Sequence, residues 1–387
     1  MGHNLTSLTS EVKRTVTPPE TLFASYRHGT LRDVEVLRGK LLPHLSVSDP
    51  EVVAACSEWG GSAFAETTPY GGEVMLVRRA QPRPSERWWL HALLLALTFA
   101  STTLCGAFLA GWNPQVRALV LLGARVDVPA RFPVADLLPG LWFSIPLCAT
   151  LLAHELGHYL AARWHRLDVS PPYFIPAPYL VSLLGTFGAF IRLRTPLLNR
   201  VMLLDVGAAG PLAGMVVALP VTIAGLLMSH PARGVVPPDG MRYVLSWQGE
   251  PFLPLSGGLL FTAIAAATVG AHGLVLLHPM AVAGWFGFLF TMLNLLPAGQ
   301  LDGGHVLYAL FGRRQQLVGG AAVAALLWLG RGWHGWWFWA AAILVLGRGR
   351  VGHPAVLDDA FRPHGWRRAA GWACIAVAIL TFMPQPL

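Results

Sequence analysis

Charge is what this chain has least of. Only 12% of its 387 residues are charged and 54% are hydrophobic, whereas soluble domains carry about 25% charged residues. Mean hydropathy is +0.51. That excludes a free cytosolic enzyme and calls for several membrane spans. Negative charge is scarcer still after the N-terminus. Ten of the 20 Asp and Glu precede Trp88, and the remaining 300 residues share the other ten. Lysine is nearly absent, with two residues against 26 arginines. The four cysteines, Cys56, Cys105, Cys148 and Cys374, form neither a metal spacing nor a disulfide frame. There is no internal repeat, and the first apolar run long enough to act as a leader begins only at Trp88, so no signal peptide is expected.

The net charge of +8 and a pI near 9.8 can indicate nucleic acid. Here the arginines lie in short loops between apolar runs and act as topology determinants, so no nucleic-acid partner is expected. Residues 1–87 form a small N-terminal cytosolic α+β domain with a basic linker. Its hairpin is expected at Ser62–Thr67 and Glu73–Arg79, turning through Pro69 to Gly72, and its linker at Arg78–Arg87 with Pro82 and Pro84. Residues 88–387 form a membrane-embedded domain with a core at 141–311 and C-terminal spans at 317–382.

Eight apolar segments follow one another: Trp88–Trp112, Leu141–Ala162, Val201–Ser229, Leu255–Leu277, Ala281–Phe311, Leu317–Leu329, Trp336–Leu346 and Ala369–Phe382. Cytoplasmic loops carry the excess of arginine. With the N-terminus inside and Leu255–Leu277 failing to cross, 16 arginines fall inside and six outside. The fold expected is therefore a polytopic α-helical membrane protein with about seven crossings plus a re-entrant segment. The compartment expected is the bacterial cytoplasmic (inner) membrane, with the lipid bilayer as a partner and the N-terminus cytosolic.

An acidic side chain in a span is costly and reads first as functional. Three qualify: Glu155, Asp205 and Asp302. Glu155 lies within His154-Glu155-Leu156-Gly157-His158. Residues four apart share a helix face, so His154 and His158 can offer imidazoles to one metal ion. Glu155 can then take a proton from a water in the open coordination position. A third ligand should come from another span, and Asp302 fits. Pro297 breaks its helix, and Gly299, Gly303 and Gly304 let the backbone turn the carboxylate inward. Broken backbone at membrane depth needs a covering of protein or a water-filled cavity, which also supplies the water for hydrolysis. Asp205, in the first turns of its span, is expected to be structural through the helix dipole. Gly207, Gly210 and Gly214 after it suit close helix packing.

His154-Glu155-Leu156-Gly157-His158 on one span, with Asn294, Pro297, Asp302 and Gly303 on a later one, resembles the site-2 proteases, zinc-dependent intramembrane metalloproteases. His278-Pro279, Ala283-Gly284-Trp285 and the run from Asn294 to His305 resemble the branch shared by bacteria and plastids. The resemblance covers about 141–305. It implies one Zn²⁺ per chain on His154, His158 and Asp302, Glu155 as general base, and Asn294 holding the scissile peptide or its oxyanion. It further implies cleavage of transmembrane protein substrates, often to release a regulator.

Leu141 to His154 is 13 residues, or about 20 Å of helix, which puts the metal about 10 Å below the inner surface of a core of roughly 30 Å. A strand at Phe190–Arg194 after a glycine turn is expected at the inner interface, where its edge can receive an unwound substrate. His305, three residues after Asp302, is a candidate outer partner of the metal ligands. Three readings compete: a transporter, which predicts repeat symmetry; a silent homologue that only binds membrane partners; and a prenyl-protein-type zinc protease using a glutamate ligand. The sequence names neither the substrate nor the oligomeric state.

Overall fold

Apolar alternation near the N-terminus and long apolar runs after Trp88 give two compact units, Met1–Ser85 with His165–Leu167, and Glu86–Trp164 with Asp168–Leu387. The computed structural model describes residues 19–31, 34–59, 62–68, 71–79, 86–121, 124–195, 197–231, 243–270, 273–356, 359 and 362–387. The hairpin turn at Pro69 and Tyr70 and the linker prolines Pro82 and Pro84 lie outside the described residues.

The first unit holds β1 (Phe23–Leu31), β2 (Val34–Leu41), α1 (Pro50–Glu58), β3 (Ser62–Thr68) and β4 (Gly71–Arg79). The strands form one antiparallel sheet in the order β1-β2-β4-β3. The expected hairpin is β3–β4, paired from Ser62 with Val77 to Thr68 with Gly71. Leu37, Leu41, Val74 and Leu76 pack with Val52 of α1 and Trp59 in a small apolar core.

Among the described residues, the second unit contains three helices long and apolar enough to cross a membrane: Trp88–Leu109, Val134–Trp164 and Arg200–Leu227. The first is α2 (Trp88–Leu109). The second joins a short α3 (Val134–Leu137), a 3-10 turn and α4 (Leu141–Trp164), and the third is α5 (Arg200–Leu227). Between α2 and α3 stands a hairpin of β5 (Val116–Leu121) and β6 (Ala124–Pro129). Asn199 caps α5 by accepting from the Met202 N–H at 2.9 Å, which satisfies one of the otherwise unpaired donors of the first turn.

The run Ala281–Phe311, read from sequence as one segment, is two helices, α7 (Pro279–Asn294) and α8 (Asp302–Phe311). Pro297 cannot continue the ladder, and Gly299 takes a left-handed φ of +58° in the turn between them. The remaining apolar helices are shorter: α6 (Leu259–Thr268), α9 (Gln315–Leu329), α10 (Gly335–Leu346) and α11 (Trp366–Thr381). The expected tight hairpin of α9 and α10 is present, turning at Gly330–His334.

The segment Leu255–Leu277 returns to the side it leaves. Its flanks are β11 (Glu250–Leu255) and β12 (Val275–Leu277), both paired with β10 (Tyr243–Trp247) in a sheet that also includes β9 (His230–Pro231). The ten-residue α6 between them is about 15 Å long, half of a hydrocarbon core of about 30 Å.

The loop between α4 and α5 departs from expectation in place and position. The strands are β7 (Tyr173–Pro176) and β8 (Thr186–Phe190), so β8 occupies the glycine-containing stretch itself. Leu193 makes only an isolated bridge to Val169. The hairpin also runs along α2. His91 Nδ1 donates to the Pro172 carbonyl at 3.0 Å, Ser101 Oγ donates to Gly185 O at 2.6 Å, and the Tyr179 ring packs 5.3 Å from that of Phe108. These contacts with α2, rather than the strand pattern alone, set the course of the hairpin.

Candidate metal centre

α4 and α5 pack antiparallel, and the contact is built from small residues. A Cβ on Gly157 would sit 2.3 Å from Ala209 O, one on Gly210 would sit 2.0 Å from His158 Nε2, and one on Gly214 would sit 3.3 Å from His154 Cβ. The glycines expected to serve helix packing therefore leave space for the two imidazoles themselves. On the other flank α5 faces α8, where Gly207 lies beneath His305. Arg200 Nε donates to Ala309 O at 2.9 Å.

The break between α7 and α8 brings Asp302 to the histidines. As the first residue of α8 it carries its carboxylate at a helix N-terminus, where partial positive charge favours an anion. A Cβ on Gly303 would sit 2.1 Å from Leu295 O, so only glycine allows the new helix to start this close to the old one.

His154, His158 and Asp302 converge on one point. Their facing atoms form a nearly equilateral triangle: Nε2 to Nε2 is 3.1 Å, His154 Nε2 to Asp302 Oδ2 is 3.3 Å, and His158 Nε2 to Asp302 Oδ2 is 3.2 Å. Tetrahedral ligation with bonds of about 2.0–2.1 Å places ligand atoms about 3.3 Å apart, so the triangle is the right size to be one face of such a site. His158 is also fixed in the right tautomer. Its Nδ1–H donates to the Val206 carbonyl at 2.7 Å, which leaves Nε2 as the lone pair facing inward. The donor set, two imidazoles and a carboxylate, fits a divalent transition ion.

Glu155 is buried beside the triad and shares its cavity with Phe190 and Ile191. Asn294, the last residue of α7, places Nδ2 3.2 Å from His154 Nε2. These side chains line a cavity of about 280 Å³ together with Ala189, Phe190, Ile191, Gln300 and His305. The structure thus brings all five sequence-derived residues into one chamber, with the end of β8 as a wall.

Two other expectations resolve differently. Asp205 is held by an ion pair, with Arg367 Nε of α11 2.9 Å from both carboxylate oxygens. Its structural role therefore rests on a partner some 160 residues away, beyond any local signal. His305 lines the chamber but its Nδ1 has no hydrogen-bond partner among the described residues, and its ring lies 4.9 Å from that of His353. Outside the spans, Glu86 and Arg194 are joined in a short ion pair, with Asp168 3.5 Å from the same guanidinium. The Arg194 hydrogen bond holds the Glu86 carboxyl below its ordinary range. The Val206 carbonyl, which orients His158, escaped sequence reasoning because backbone acceptors leave no residue signature.

Residues 142–329 match the model for peptidase family M50. The chain is 31% identical over 337 residues to the probable zinc metalloprotease EGY1, chloroplastic, of Oryza sativa subsp. japonica, covering 82% of this chain and 55% of that protein. It is 31% identical over 262 residues to the Arabidopsis thaliana protein of the same name, covering 67% and 45%. It is 30% identical over 264 residues to the probable zinc metalloprotease EGY2, chloroplastic, of Arabidopsis thaliana, again covering 67% and 45%. The chain spans about half the length of these curated relatives. No solved structure gives a significant match.

Proposed function

The chain belongs to peptidase family M50, the site-2 protease family, and from that premise we propose that it is a zinc-dependent intramembrane endopeptidase acting on transmembrane protein substrates. The observation that carries the reading is the triangle of His154, His158 and Asp302, drawn from two helices with Asp302 144 residues beyond His158 in sequence and spaced as a tetrahedral face.

Bound zinc supplies a water of lowered pKa and a Lewis acid for the scissile carbonyl. Glu155 takes the proton from the attacking water and returns it to the leaving amine. Asn294 directs its amide N–H into the chamber, where it can donate to the developing oxyanion. His158 keeps its tautomer through Val206, and burial of the chamber restricts bulk water to the hydrolytic supply.

A helical substrate hides its peptide bonds and must be unwound. β7 lies along α2 and β8 lies toward α4, so the free edge of β8 borders the chamber. That edge can receive the substrate as an added strand, with Glu155 in the same cavity as Phe190 and Ile191. The antiparallel contacts of α4, α5 and α7 support alternating crossings. We extend them to seven, formed by α2, α4, α5, the interrupted pair α7–α8, α9, α10 and α11, with α6 as the insertion. The arginine-rich loops and the domain at residues 1–87 face the cytosol of a bacterial inner membrane; the plant relatives' chloroplastic location is their own.

The test is metal content by mass spectrometry on wild type, Asp302→Ala and a His154→Ala/His158→Ala variant. Near one zinc per wild-type chain, lost in both variants, is expected. A folded wild type without metal, purified under conditions that spare zinc, overturns the reading.

A further inference from the structure

We infer that Gln315 is a positioning residue for Asp302, acting through the break between α7 and α8; the inference rests on the metal-centre reading above. Gln315 opens α9, and no part of its surface is exposed. A buried amide is costly unless both of its ends are hydrogen-bonded. Here both are. Nε2 donates to the Pro297 carbonyl at 3.0 Å, and Oε1 accepts from the His353 backbone N–H at 2.8 Å. Beside it, the Gly299 N–H donates to the Val351 carbonyl at 2.9 Å. Gly319, one turn on in α9, has no side chain to keep these segments apart: a Cβ there would sit 2.8 Å from Val351 O and 3.0 Å from Pro297 O.

Three pieces of chain are fastened here: the break after Asn294, the first turn of α9, and the segment after α10. Between Asn294 and Asp302 no helical ladder carries position from one helix to the next. The bonds inside the break, Ala298 N to Leu296 O at 2.8 Å and Leu301 N to Ala298 O at 3.3 Å, fix its shape. They do not fix its place. Place comes from outside, through the packing of Leu295, Leu296 and Ala298 in the core and through the polar ties to Gln315 and Val351, and the Asp302 carboxylate must reach both imidazoles within a few tenths of an ångström to close the triangle. Nothing in Arg313-Arg314-Gln315-Gln316 distinguishes this amide from an interfacial polar run.

The experiment loads the purified full chain with zinc and follows zinc release to a chelator. Gln315→Met, close in size and without either hydrogen bond, is expected to release zinc about 10-fold faster or more, the range seen when outer partners of a metal site are lost. Gln315→Leu also lacks both hydrogen bonds and is expected to move the same way. It decides the matter if the Met variant does not fold. Trp336→Phe is the control. It loses a buried hydrogen bond of 2.7 Å to Pro384 O that does not touch the break, and it should release zinc like wild type. Wild-type release in both Gln315 variants overturns the inference, as does equally fast release in Trp336→Phe. A wild type that never holds zinc sinks the metal-centre reading itself.

Discussion

A Cβ on Gly210 would occupy the place of the His158 ring, 2.0 Å from Nε2. The glycine is thus part of the candidate metal centre without offering it an atom. His158 cannot step aside, because its other nitrogen is tied to Val206 on the same helix. Gly210→Ala is expected to cut zinc affinity at least as strongly as losing an outer partner, about 10–100-fold, in a chain that still folds. Gly320→Ala is its counterpart, since a Cβ there meets only Val351 Cγ2 at 3.9 Å. That variant should keep its zinc and gain about 0.5–1 kcal/mol of helix stability. Metal analysis beside thermal unfolding checks both, and equal zinc in the two variants would refute the steric argument.

Glu155→Gln separates chemistry from binding. The amide keeps the shape of the side chain but cannot accept the water's proton, so cleavage should fall by about 10²–10⁴-fold with zinc content unchanged. The readout is a substrate-cleavage assay beside metal analysis. Full activity in this variant would remove Glu155 from the mechanism.

Asn294→Ala tests the oxyanion donor. Zinc should stay, because Asn294 is not a ligand, while kcat falls by about 10²–10³-fold with little change in KM. A rise in KM alone would instead make the residue a binding contact for the substrate.

Proline at Phe187 and at Ala189 tests strand addition; Gly188 is left alone, because its N–H is held by Thr186 Oγ1 at 2.9 Å and its φ of +102° is closed to proline. Where the N–H points away from β7, proline removes a donor from the free edge, and cleavage should be lost with zinc retained. Where the N–H points toward β7, the hairpin itself should weaken. Intact cleavage throughout would rule out β8 as the docking edge.

The Glu86–Arg194 pair carries the pH dependence. Arg194 holds the Glu86 carboxyl below its ordinary value. Its contribution is therefore complete above the unfolded carboxyl pKa of about 4.3 and is lost as pH falls through the depressed folded value. Limited proteolysis of the segment at 168–195 should be flat from neutral pH down to about 5 and rise only below about 4. In Glu86→Gln that acid-dependent step should vanish. An onset near neutral pH would assign the transition to another group.

The sequence determined the chemistry of this protein, because its decisive signals are local. His154 and His158 are four residues apart, which on any helix gives one face, and Glu155 and Asp302 are costly enough in an apolar run to mark themselves. Pro297 with Gly299 marked the break for the same reason. The N-terminal hairpin was legible from its alternation and turn residues. Only the tertiary structure decided how these parts meet. Asp302 reaches the histidines because Gly303 lets α8 start against Leu295, His158 is oriented by a backbone carbonyl, and Asp205 pairs with Arg367 across the chain. The course of β7 and β8 along α2 was set by neighbours and not by their own pattern. Spacing along the chain fixes which side chains share a face, but steric space and backbone acceptors come from segments distant in sequence, and they appear only once the helices have packed.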